Sequence, residues 1–170
     1  MRKKLNQTGG FSLVEVALAL GIASFCLITL MALLPVGVQH YKQADTQKTM
    51  VNLASMVVRD LETTSAGTSA VISPRFKFSV PAAGETVSGT PQTLYVDAFG
   101  VATGVIGGAP TASSIYRLSL FFVPPSSSNH KSATQTRLLI TFPANADSVP
   151  TTLPAKYSDM FETTVSLNRN

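Results

Sequence analysis

One feature constrains this chain more than any other: an apolar run over residues 11–38 whose only polar side chains are Ser12, Glu15, Ser24 and Thr29. After Glu15 no charged side chain appears until Lys42. The stretch from 16 to 38 spans about 35 Å as a helix rising ~1.5 Å per residue, enough to cross a hydrocarbon core of roughly 30 Å. Arg2, Lys3 and Lys4 precede it, with no acid among the first ten residues. By the positive-inside rule this basic leader stays cytoplasmic, which puts the rest of the chain on the far side. The overall composition agrees: 45% of residues are hydrophobic and 13% charged, about half the usual soluble level of roughly 25%. The formal charge of +4 belongs mainly to the leader. Without those three residues of thirteen, ten basic side chains face nine acidic ones, and no basic stripe interleaved with aromatics marks a nucleic-acid binder.

Three ordinary readings of the run fit poorly. A secretory signal has an apolar region of roughly 7–15 residues before a small-x-small site, and here Ala17-Leu18-Ala19 comes after only a few apolar residues. A lipoprotein signal needs a small residue before its cysteine, whereas Phe25 precedes Cys26. A plain signal anchor fits the length but leaves Glu15 unexplained. A carboxylate inside a span costs on the order of 3 kcal/mol on insertion scales, less near an end, so an acid there points to a function. The bland alternative is a solvated acid at a helix start, favoured by the helix dipole.

Gly9-Gly10-Phe11-Ser12-Leu13-Val14-Glu15-Val16, behind a short basic leader, resembles the class III signal of type IV prepilins and type II secretion pseudopilins. The resemblance implies a membrane peptidase that cuts the Gly10–Phe11 bond on the cytoplasmic side and methylates Phe11. It also implies that Glu15, fifth in the mature chain, pairs with the α-ammonium of a neighbouring subunit's Phe11 during assembly. The same start, with Leu33-Leu34-Pro35-Val36-Gly37, is also similar to the group called Verru_Chthon cassette protein B, which carries no established activity. Physical chemistry makes the residues intelligible. Gly10 removes bulk beside the scissile bond and permits extended backbone. An ion pair about 4 Å apart is several-fold stronger in a low-dielectric medium than in water.

Beyond the run, Met50, Leu53, Ala54, Val57, Val58 and Leu61 recur at three- and four-residue spacing, while Lys48, Asn52, Ser55, Arg59 and Glu62 share the other face. This predicts an amphipathic helix over 39–64 with one face on a core. Pro35 removes a backbone hydrogen bond and predicts a kink in the helix, or alternatively a true helix end with a short linker. After residue 65 the period changes to two. Strands are predicted over 72–80, 93–99, 114–123, 135–142 and, more weakly, 161–167, separated by turn-rich connections at 81–91, 104–110, 124–129 and 143–154. Strands grouped after a helix imply an α+β fold, with a long N-terminal helix packed on a C-terminal antiparallel sheet. The domain organisation is then leader 1–10, transmembrane and assembly helix 11–38, amphipathic half 39–64 and a periplasmic β-rich domain 65–170.

Signs of catalysis are few. His40 and His130 have no second His or Cys nearby, and the lone Cys26 permits neither an intramolecular disulfide nor a thiolate metal site. Serines 126–128 with His130 lack nucleophile-elbow spacing, and Gly107-Gly108 lacks the strand–GxGxxG–helix setting of a dinucleotide loop. Asp147 and Asp159 flank a loop where some pseudopilins bind calcium, but their spacing favours solvated loop acids. The expectation is therefore a non-enzymatic structural subunit without cofactor or metal: a minor pilin or pseudopilin in the inner membrane, crossing once, then in a periplasmic or surface filament. Its expected partners are prepilin peptidase, other subunits and an inner-membrane assembly platform. Two alternatives stand beside it, a DNA-uptake pseudopilin and an unprocessed membrane-anchored domain.

Overall fold

The computed structural model describes residues 10, 12–64, 69–82, 89–123, 134–146 and 157–167. Residues 13–62 form one helix of 50 residues, α1 (Leu13–Glu62). The chain divides into two compact units, Met1–Lys42 and Gln43–Asn170, and α1 contributes to both. Helix formation continues through Pro35, so the chain does not end a helix there. The proline lacks the N–H that would reach the carbonyl one turn back, and the cost is confined to that turn. At the C-terminal end two threonines cap a single carbonyl: the hydroxyls of Thr63 and Thr64 both donate to the Asp60 carbonyl, at 3.0 and 2.8 Å.

In the second unit, the end of α1 lies on a four-stranded antiparallel sheet ordered β3 (Gln92–Val96), β4 (Tyr116–Val123), β5 (Thr134–Phe142) and β6 (Asp159–Leu167). The predicted helix stripe is the buried one: Met50, Leu53, Ala54, Val57 and Leu61 enter the core, and Val58 is half-buried. Opposite them the register aligns side chains in rows across the sheet. Leu94, Leu118, Ile140 and Phe161 form one row, and Leu120, Leu138 and Thr163 part of the next. The architecture is thus α+β and pilin-like, an N-terminal helix whose distal part packs on a C-terminal antiparallel sheet.

Two local departures from expectation have physical causes. The predicted strand 72–80 is instead a short hairpin, β1 (Val71–Ile72) and β2 (Ser79–Val80). Pro74 cannot donate to a ladder, and Lys77 takes a left-handed φ of 61°. Ser73 closes the turn by accepting the Phe78 N–H on its hydroxyl at 3.1 Å. Phe76, Phe78 and Val80 are nonetheless all buried, so the alternation was real while the strand was not. The predicted strand 93–99 stops at Val96 because Asp97 turns the chain. Its carboxylate accepts the N–H groups of Phe99 and Val101, both at 2.9 Å.

That turn needs a glycine. Gly100 has φ +75°, and a Cβ there would lie 2.7 Å from Leu53 Cδ2 and 3.0 Å from Met56 Cε. Gly100→Ala combines a strained backbone with overpacking against α1, each of order 1–3 kcal/mol. The variant is expected to lower the urea midpoint of residues 43–170 clearly, with the slope of the transition unchanged.

The sheet face away from α1 carries Arg137, whose guanidinium forks onto Glu162 (Nε–Oε1 2.6 Å, Nη2–Oε2 2.9 Å) and covers the Phe121 ring at 5.6 Å. The hydrogen bond and charge of Arg137 hold the Glu162 carboxyl below the usual carboxylate range. A depressed folded-state pKa contributes stability at neutral pH that is lost as pH falls through it. Because the pair is substantially exposed, solvent screens it and the contribution is small. Carboxyl NMR should show Glu162 titrating higher in Arg137→Ala, with little loss of stability.

Candidate assembly helix

The first turn of α1 is built on Ser12, whose carbonyl accepts the N–H groups of Glu15 and Val16 at 2.9 and 3.1 Å. Ser12 thus stands at the N-cap position, where its residue type is favoured. Gly10 precedes it outside the helix, exposed, with open space where a side chain would project. Phe11 and the basic leader lie outside the described residues, so of the residues expected at the cleavage site only Gly10 is described. Glu15 is in the first turn, where a negative charge meets the positive end of the helix dipole. No hydrogen bond or ion pair of its carboxylate occurs among the described residues.

From Leu13 to Val38 the described side chains are exposed, among them Leu13, Leu20, Phe25, Leu30 and Leu34. The most apolar 18-residue stretch has mean hydropathy 2.5 and none of it is buried. A soluble domain does not leave so much contiguous apolar surface in water. The two mid-helix hydroxyls are already committed. Ser24 Oγ donates to the Leu20 carbonyl at 2.7 Å, and Thr29 Oγ1 to the Phe25 and Cys26 carbonyls at 2.7 and 3.0 Å. The free thiol of Cys26 lies on the same exposed surface. Among the polar interruptions of the run, Glu15 is therefore the carboxylate whose needs remain unmet within the described chain. The helix is long and apolar enough for a single membrane span or a signal.

His40 lies exposed on α1 and Asp159 at the start of β6, while His130, Asp147 and serines 126–128 fall outside the described residues. Among the described residues no group of three metal-ligating side chains exists. Gly107, at φ +74°, donates its N–H to the Thr93 carbonyl and shapes a turn beside β3. Among the described residues the arginines do not form a stripe: Arg117 is buried and Arg137 is bound to Glu162. Arg59 and Arg75 line one groove of about 680 Å³, shared with Asn52, Met56 and Asp60.

Sequence reading missed Asp60, which is 6% exposed on the core side of α1. Its two carboxylate oxygens accept the backbone N–H groups of Arg75 (2.9 Å) and Phe76 (3.0 Å). Asp60 thereby fastens the β1–β2 turn to the helix. The available signal was positional, since an acid three residues after Val57 and one before Leu61 falls on the buried stripe. The chain matches no protein-family model, no curated protein and no solved structure.

Proposed function

We propose that this chain is a prepilin-like structural subunit, cut after Gly10 and assembled through residues 11–38 into a type IV pilus-like or type II secretion filament. One observation carries the reading: over residues 13–38 an exposed apolar stretch of α1 has its Ser24 and Thr29 hydroxyls bonded to its own backbone, while its first turn holds a carboxylate without a partner among the described residues. In a bundle of such helices, the α-ammonium created at Phe11 by cleavage supplies the missing charge. Pro35 would bend the spine within the same segment. The pilin-like arrangement, with an apolar helix continuing into the helix that carries a sheet, supports the same role. Prepilin peptidase, like subunits and an inner-membrane platform are the partners this implies, with the β-rich domain periplasmic.

The test is the terminus of the mature protein. Mass spectrometry from cells with an active prepilin peptidase should find a chain beginning at N-methylated Phe11, and Gly10→Val should block that processing. An intact Met1 terminus in the wild-type protein would falsify the reading.

A further inference from the structure

We draw no further inference here: the strongest candidate, the open groove between α1 and the β1–β2 turn, holds the Asp60 carboxylate alongside the exposed Arg59 and Arg75, and nothing in the structure shows what covers it.

Discussion

Replacing Glu15 by valine should leave membrane insertion and cleavage after Gly10 intact while removing the subunit from filaments. Valine makes the span more apolar, so insertion is not impaired. On the proposed function, what is lost is the counter-charge for a neighbour's newly exposed α-ammonium, in surroundings where that ammonium has little water. Breaking a buried ion pair by deleting one partner costs about 3–5 kcal/mol, corresponding to roughly a hundred- to several-thousandfold loss in the association equilibrium. Quantifying mature subunit in sheared filaments against the membrane fraction measures this directly. Glu15→Asp keeps the charge but shortens its reach and should recover part of the assembly. Wild-type filament levels in Glu15→Val would leave the filament proposal without a mechanism.

The largest stability effect is expected at Asp60. Asp60→Ala leaves the Arg75 and Phe76 N–H groups without their acceptors, and Phe76 is 2% exposed. A stranded buried donor costs about 1–3 kcal/mol, with bonds to a charged acceptor at the upper end. One buried and one part-buried donor, with the β1–β2 turn released from α1, should remove on the order of 2–4 kcal/mol, a large share of the 5–15 kcal/mol typical of a domain. Urea unfolding of residues 43–170 reads the change. Asp60→Asn retains one acceptor oxygen and should lose clearly less. Equal losses in the two variants would show that the carboxylate's second oxygen decides the turn's attachment.

These two acids also show what the sequence discloses. Glu15 stands out because every neighbour is apolar, so its oddness can be seen without a structure. Asp60 sits in a helix segment that already contains Arg59 and Glu62 and looks like one more surface charge. Only the three-residue offset from Val57 places it inwards. The helix stripe, β4 and β5 were legible because one face of each carries an apolar repeat of clear period, and β6 less so because Thr163 interrupts its inward face. Residues 72–80 were misread because burial of Phe76, Phe78 and Val80 imitates a strand, while the contrary signals, Pro74 and the positive φ of Lys77, are local.

The second face of the sheet was not legible at all. Thr93, Arg117, Ser119 and Thr141 read as solvent-facing alternates, yet each is at most 1% exposed. Periodicity reports contrast between faces, and polar residues buried on both sides of a strand provide none. Strand order lies still further from periodicity. The order β3-β4-β5-β6 follows from long-range pairing that no local pattern encodes.

The hydroxyl bonds of Ser24 and Thr29 have a consequence for transfer between environments. A helix that keeps its polar groups on its own backbone brings the same hydrogen-bond inventory to lipid tails and to other helices, so moving from one to the other changes little in those terms. Under the proposed function, selection between the two media then falls to Glu15, the one carboxylate of the run. In that reading the segment exchanges lipid for neighbouring helices where a cationic chain end neutralises that carboxylate.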